Sequence, residues 1–377
     1  MNARALPPLV ITLVLALASA AGAQTNDPLF ARWNWAPPEL GARPGGMGGA
    51  FVAVADSTRA AYTNPAGITL IPVTEVSLSS GEPWLAVGRR LIPGRVAAYV
   101  AKTDERRVDL GGQGGGPQAT GGFLGASVWE VGLAMGVHPV PRVRLGATAA
   151  WSRLDLEGQR LAFDDRGGAT PVAAVKGEAT RVRLTAGMLI TLIGRRGRSL
   201  PSLRLGLAYH SGFDWPAQTS LAGGTATVDI RRPTLVTTGL AWRATDRWSF
   251  STQADFIHFS EVVDALHRNV GDAAAAGFSL PDTVQPRLGA EYAAPLWCGC
   301  GIVRLRAGIH HRSPGTLRYQ GPDPVAAQAF TNRRWHTATA LGGSFYTEHF
   351  DNALRLDVDA RDLFDRRELS FGVAWRF

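Results

Sequence analysis

Two residue types are nearly missing from this chain of 377 residues. It has 2 Cys, and of its 39 basic residues only Lys102 and Lys176 are lysine, which leaves 37 arginines. Two cysteines exclude a disulfide framework, and Cys/His spacing of the zinc-finger kind is absent. Beyond the N-terminus no apolar run reaches about 18 residues, so a transmembrane helix is not expected in the mature chain. Charged residues make up 19% and hydrophobic residues 45%, which excludes a disordered chain. The 44 glycines follow no three-residue period, which excludes a collagen-like chain. The net charge is +8, but the arginines lie singly, often at every second residue, rather than in the runs that nucleic-acid binding would want.

What is present begins with an export signal. Residues 1–23 read MNARALPPLVITLVLALASAAGA: Arg4, an uncharged apolar run from Leu9 to Ala18, then the small residues Ala21, Gly22 and Ala23. This pattern is expected of a secretory signal peptide cleaved after Ala23, and no Cys follows to carry a lipid.

The body alternates with a period of two. Leu369, Phe371, Val373, Trp375 and Phe377 are apolar, with Glu368, Ser370, Gly372, Ala374 and Arg376 between them. Segments 142–152, 181–190, 203–210, 302–310 and 353–360 do the same, mostly with Gly or Arg on the second face. A strand with one lipid-facing side and one crowded polar side reads this way, so the expected fold is all-β, a transmembrane antiparallel β-barrel. Fourteen strands fit, near 73–79, 83–92, 95–102, 120–137, 142–156, 178–193, 202–212, 223–243, 247–259, 283–293, 302–312, 334–346, 353–361 and 367–377. The 223–243 segment carries Pro233, which interrupts a strand. Long connections at 103–119, 157–177, 260–282 and 313–333 mostly alternate with short ones, as outer loops alternate with periplasmic turns in bacterial outer-membrane barrels. The terminal Phe377 after Trp375 resembles the signature read by the barrel-assembly machinery.

Residues 24–72 are expected to form a hatch inside the barrel of 73–377. Their tract GARPGGMGGAFVAVADSTRAAYTNPAGI, residues 41–68, is small, glycine-rich and turn-rich, and suits a plug better than a wall strand. The tract resembles the FadL/TodX family of outer-membrane transporters for long-chain fatty acids and aromatic hydrocarbons. The matches are Gly46, Met47, Gly48 and Gly49 through Phe51, then Ala53 to Asp56, then Asn64, Pro65, Ala66 and Gly67. Weaker similarity runs through 205–212, the segments DTVQPRLGAEY and VRLRAGIHHR, and the last strand. The resemblance implies a fourteen-stranded barrel with an N-terminal hatch. It also implies opening linked to Asn64-Pro65-Ala66, exit sideways through the wall into the membrane, and no cofactor. The same tract occurs in related PorV-type barrels that serve protein secretion, so a secretion scaffold or shuttle stands as the alternative.

Other candidates carry two readings each. In the loop 260–282, Val262, Val263, Leu266 and Val270 share one helical face, either an outer landing site for a hydrophobic ligand or a helix packed on a neighbouring loop. Val325 to Phe330 is a smaller case of the same kind. Inward Arg144, Arg181, Arg183, Arg204, Arg304, Arg306 and Arg355 face Asp255, Glu291, Asp357 and Asp359, and ion pairing that fills the lumen and holds the hatch fits better than a selectivity lining. Cys298 and Cys300 sit two apart in a periplasmic turn; a disulfide there is expected to be strained, and a structural bond or free thiols fit better than a redox site. The Gly45–Gly49 run lacks the Lys-Ser/Thr of a phosphate loop, adjacent His310 and His311 are poor joint metal ligands, and no nucleophile–base pair argues for catalysis. The expected function is passive uptake of hydrophobic small molecules across the bacterial outer membrane, with lipid, lipopolysaccharide and the barrel-assembly machinery as surroundings and no nucleic-acid partner. A hydrophilic diffusion pore is disfavoured by the plug.

Overall fold

The computed structural model describes residues 30–31, 33–36, 41–80, 83–91, 94–113, 120–163, 169–194, 201–221, 224–331, 334–349, 352–363 and 368–377. The expected signal peptide lies outside them. The strands, in chain order, are β1 (Glu75–Ser80), β2 (Trp84–Arg90), β3 (Arg95–Gln113), β4 (Thr120–Val140), β5 (Val143–Phe163) and β6 (Ala169–Ile193). Next come β7 (Ser202–His210), β8 (Phe213–Leu221), β9 (Gly224–Arg232), β10 (Leu235–Arg243), β11 (Trp248–Ile257) and β12 (Phe278–Ser279). The last are β13 (Thr283–Pro295), β14 (Ile302–Arg312), β15 (Arg318–Tyr319), β16 (His336–His349), β17 (Asn352–Arg361) and β18 (Glu368–Arg376).

Fourteen of these, β1–β7, β10, β11, β13, β14 and β16–β18, pair antiparallel in one continuous wall, with β7 joined directly to β10. The wall closes where β1 meets β18, from Glu75 opposite Arg376 to Ser80 opposite Phe371. Thr74 and Phe377 finish the seam by exchanging backbone hydrogen bonds of 3.2 and 3.1 Å. Closure leaves no unpaired strand edge in the apolar medium.

The period-two pattern decides which side chains meet lipid. Leu78, Leu133, Leu184, Leu288, Leu305 and Phe371 are all more than half exposed, and each lies on the outer face. Toward the short-turn end Trp242, Phe250, Trp248 and Tyr292 stack in sequence around the wall, with neighbouring rings 4.7–5.9 Å apart. Trp375 and Phe377 add a further pair at the same end. Such a girdle marks a membrane–water interface, and the whole surface is that of a bacterial outer-membrane barrel.

The strand number matches the sequence reading, but four segments differ from it. The segment 223–243 is two strands, because Pro233 has no N–H for a ladder and the chain turns there. The connection at 213–222 is largely β8, which pairs with β9 and leans on β6 through Val175 and Ala174. The connections at 103–119 and 157–177 are largely strand as well, since β3, β5 and β6 run on beyond the wall as extended hairpins. Residues such as Asp104, Glu105, Arg106 and Arg107 are polar on both faces, so the alternation that marks a lipid-facing strand is missing there.

Leu288 sits near the middle of β13 with its side chain outward. Leu288→Arg is expected to lower the stability of the folded barrel in vesicles by about 2–4 kcal/mol, the range for a cation on the lipid face at the bilayer midplane. A denaturant titration in lipid vesicles that shows no loss would contradict the placement of this face in hydrocarbon.

Candidate functional site

The segment 41–71 fills the barrel as a plug of short helices and turns. A helix at Ala42–Gly46 leads into tight turns, a second helix covers Ala60–Thr63, and a 3-10 helix covers Pro65–Leu70. Asn64 stands between the last two: its side chain accepts from Ala66 N–H at 3.3 Å, and Pro65 begins the helix where a missing N–H does no harm. The Asn64 Nδ2 donates to Val52 O at 2.8 Å inside the plug and to Met188 O on β6 at 3.2 Å. One buried side chain thus ties the plug to itself and to the wall.

Most plug–wall contact is backbone on glycine. A methyl group on Gly342 of β16 would lie 3.0 Å from Gly46 Cα; one on Gly289 of β13 would lie 2.7 Å from Met47 O. One on Gly206 of β7 would lie 2.7 Å from Ala53 Cα, and one on Gly308 of β14 would overlap Gly48. Gly146 of β5 and Gly187 of β6 receive Pro65 and its neighbours in the same way. These glycines form a belt around the lumen. They explain the glycine on the inner face of segment after segment: side chains there would expel the plug.

Ion pairs fasten the plug between the belt contacts. Arg43 pairs with Asp56 within the plug and reaches Glu291 of β13 at 3.5 Å. Burial alone would push the Asp56 carboxyl up, but the Arg43 guanidinium outweighs it, with Arg204 and Arg376 adding, so the group is held well below the usual carboxylate range. A lowered carboxylate contributes its full stability above its unfolded value near 4 and loses it only as pH falls through the lower folded value. Gln253 Oε1 accepts from both Phe51 N–H and Val52 N–H at 2.9 Å. Glu75, fully buried at the start of β1, accepts from Thr58 N–H at 2.8 Å and from Arg376 Nε at 2.7 Å, joining plug and closing seam. Behind these, Arg306 bridges Glu291 at 2.7 Å and Asp357 at 3.2 Å, Arg304 holds Glu291 at 2.8 Å, and Arg355 holds Asp357 at 2.8 Å. Arg287 pairs with Asp255 at 2.6 Å, and Arg361 with Asp359 at 2.7 Å. These contacts accord with the packing reading of the inward charges. Arg181 instead is exposed.

Toward the long-loop end a second polar cluster sits on the plug. Glu130 of β4, fully buried, meets Arg183 of β6 at 2.8 Å and Arg232 of β9 at 2.6 Å. Arg232 Nη2 donates to Tyr62 OH of the plug at 2.8 Å, and the Arg183 guanidinium lies 4.3 Å from the Tyr62 ring centre. Glu130 and Arg232 were missed in the sequence. The signal for Glu130 is its parity, since it alternates with outward Trp129 and Val131. Beside this cluster β3 is bulged at Thr103, between Lys102 and Asp104.

Above the polar cluster lies an apolar one, built from Trp33 and Trp35 of the chain ahead of the plug, Val128, Leu154, Trp215 and Ile230 of the strands, and the loop helix Ser260–Val270. Val262 and Leu266 are buried in it, and Val263 and Val270 pack against it. The four residues share a face, as the spacing indicates, and that face turns inward rather than to the outside. The second loop segment forms the helix Pro324–Ala329, and Phe330 is buried in the same cluster. A cleft of about 40 Å³ opens there between Trp33, Trp35, Trp215 and Ile230, with Arg106 and Arg232 at its polar side. Below the plug, toward the short-turn end, a vestibule of about 880 Å³ is floored by Met47, Val54, Asp56 and Leu70 and lined by Arg142, Arg144, Arg204 and Arg243. The plug separates the two spaces.

Solved structures share this fold. The chain is 10% identical to a Pseudomonas aeruginosa FadL homologue, over 90% of this chain and 98% of that one, with a TM-score of 0.63. It is 14% identical to the Pseudomonas putida toluene transporter TodX, over 91% and 99%, with a TM-score of 0.60. The fold is the FadL/TodX-type barrel. The Ralstonia pickettii toluene transporter TbuX is similar as well, at 15% identity over 90% and 98% with a TM-score of 0.57. No family model and no curated protein matches the sequence. In this FadL-type barrel much of the tract Gly46 to Gly67 is buried against the inner wall, and Val262, Val263, Leu266 and Val270 pack in or against the apolar cluster at the long-loop end.

Gly308→Val in β14 is expected to fold into the membrane yet displace the plug, because the side chain occupies the place of Gly48; overpacking of this kind costs about 1–3 kcal/mol or more. Gly343 of β16 has only ordinary contacts around a built methyl, the nearest at 3.8 Å, so Gly343→Ala is the control. Single-channel recording in planar bilayers should show raised conductance for Gly308→Val alone. Equal, closed behaviour of both variants would show that the glycine is not a seat for the plug.

Proposed function

We propose that this barrel is an outer-membrane channel for passive uptake of hydrophobic small molecules, long-chain fatty acids or aromatic hydrocarbons. The observation that carries the reading is the order of spaces along the barrel axis. An apolar, tryptophan-rich cleft lies at the outer mouth, a plug tied by polar contacts lies beneath it, and an open vestibule lies on the periplasmic side. A greasy ligand lands on the apolar cluster and parts it at the cleft, which at about 40 Å³ is too small to hold such a ligand closed, then passes when the plug shifts near Asn64-Pro65-Ala66. The loop helix with Val262, Val263, Leu266 and Val270 lines the collecting cluster from outside. Gly46, Met47, Gly48, Gly49, Asp56 and Gly67 hold the hatch in register with the wall. The bulge of β3 at Thr103 is the place beside the upper cluster where the ligand would leave sideways into the membrane. The fold neighbours described as toluene transporters and as a FadL homologue support the same reading. No energy source is required, since transfer runs down the ligand's gradient.

The test is uptake of labelled long-chain fatty acids and alkylated aromatics by cells lacking the gene. Uptake should fall on deletion and return with the intact gene. It should not return with a gene in which Asn64, Pro65 and Ala66 are replaced, although the variant barrel reaches the membrane in normal amount. Unchanged uptake across the panel, with surface or secreted proteins missing instead, would overturn the channel reading in favour of a PorV-like secretion scaffold.

A further inference from the structure

The turn that joins β13 to β14 reads Leu296-Trp297-Cys298-Gly299-Cys300-Gly301. Cys298 and Cys300 are joined by a disulfide, and both are exposed, as is Gly299 between them. Trp297 is fully exposed. Gly299 has φ +67° and nothing within 4 Å of a built methyl, so the turn stands clear of the barrel on the side where the chain ends.

The bond adds little to the fold. A cross-link stabilises chiefly by restricting the unfolded chain, and the effect shrinks with the loop it closes. Here one residue lies between the cysteines. The turn is already held without it: Leu296 N–H donates to Gly301 O at 2.9 Å, Gly299 N–H to Leu296 O at 3.0 Å, and Thr347 Oγ1 to Cys300 O at 2.9 Å. The strands on either side are paired to their ends, Pro295 opposite Ile302. An exposed disulfide that the fold does not need is open to attack, and exposed bonds are the labile ones in exchange.

We propose that Cys298 and Cys300 form a thiol–disulfide exchange site facing the periplasm, which oxidises an exposed dithiol on an exported protein or peptide. A partner thiol ionises and its thiolate attacks one sulfur of the pair. The S–S bond breaks, a mixed disulfide forms, and the other cysteine leaves as a thiolate that takes up the released proton. The partner's second thiol loses its proton and attacks the mixed disulfide, and the remaining cysteine leaves with that proton. The partner gains a disulfide, and Cys298 and Cys300 become two thiols. Trp297 beside the pair offers an apolar surface against which an extended partner segment can lie. The sequence alone favours a structural bond or free thiols; the exposure of the pair and the redundancy of the turn argue for exchange.

The test uses the full chain folded in detergent micelles. It is equilibrated with reduced glutathione in about hundredfold excess over the oxidised form, and thiols are counted by mass-tagged maleimide. More than half of the pair should be reduced. A short peptide with two thiols, added to the oxidised protein, should be oxidised mole for mole as Cys298 and Cys300 become alkylatable. The Cys298→Ser, Cys300→Ser variant should keep the parent's heat-shifted gel mobility and leave the peptide reduced. A pair that stays oxidised in that buffer, a peptide that is not oxidised, or a double variant that fails to fold would each overturn the proposal.

Discussion

The close approach of plug backbone to wall backbone is the constraint on which this structure depends. Gly46 against Gly342, Gly48 against Gly308, Ala53 against Gly206 and Pro65 against Gly187 leave no room for a Cβ on the wall. A barrel of this width has space inside for more than its own side chains. Its inner face therefore divides into two kinds of position. Where the plug presses, the wall carries glycine. Where gaps remain, it carries long charged side chains that reach across to one another. The composition follows from this geometry, with many glycines and with the positive charge almost all on arginine.

The near absence of lysine has the same origin. Arg306 meets Glu291, Asp357 and Ser344 at once, and Arg183 meets Glu130, Tyr99 and Thr185. A guanidinium presents five donors in a rigid fork and can bridge groups on adjacent strands; an ammonium cannot match that plane. Buried charges that are each paired more than once hold the strands and the plug in one register, whereas removing one partner would strand the others in a dry lumen.

The architecture was legible in the sequence because lipid enforces alternation. Leu369 to Phe377 reads as a strand with no help from its neighbours, and fourteen such segments give the wall. Legibility stopped where the membrane stops. The extension of β3 past Thr103 has polar residues on both faces, so the segment read as loop. The hatch was legible through its glycines and Asn64-Pro65-Ala66-Gly67, but its anchors were not. Gln253 lies about 200 residues from the Phe51 and Val52 amides that it holds, and Glu130 meets Arg232 across 102 residues. Nothing local marks such pairs except the parity that turns them inward. The helix Ser260–Val270 shows the limit of periodicity in another way: it gives the apolar face but not its direction, and that face looks into the barrel mouth.

The ties between plug and wall are uneven along the plug. Each backbone hydrogen bond contributes about 0.5–1.5 kcal/mol net, and ion pairs buried from water contribute more when one partner is removed. Lifting out the whole plug would break the Arg43–Glu291, Gln253, Thr58–Glu75 and Asn64–Met188 contacts together, leaving Glu75, Glu291 and Asp255 with only their wall partners Arg376, Arg304 with Arg306, and Arg287. Moving only the stretch from Asn64 to Gly67 strains the two bonds of Asn64 Nδ2, the Asn64 N–H bond to Ala60 O and the Thr69 Oγ1 bond to Ala66 O, while Arg43, Gln253 and Glu75 keep theirs. That stretch also lies against Gly146 and Gly187, smooth backbone that offers no side chain to catch on. A shift confined to that stretch therefore disturbs fewer of the ties between plug and wall than expulsion of the plug would.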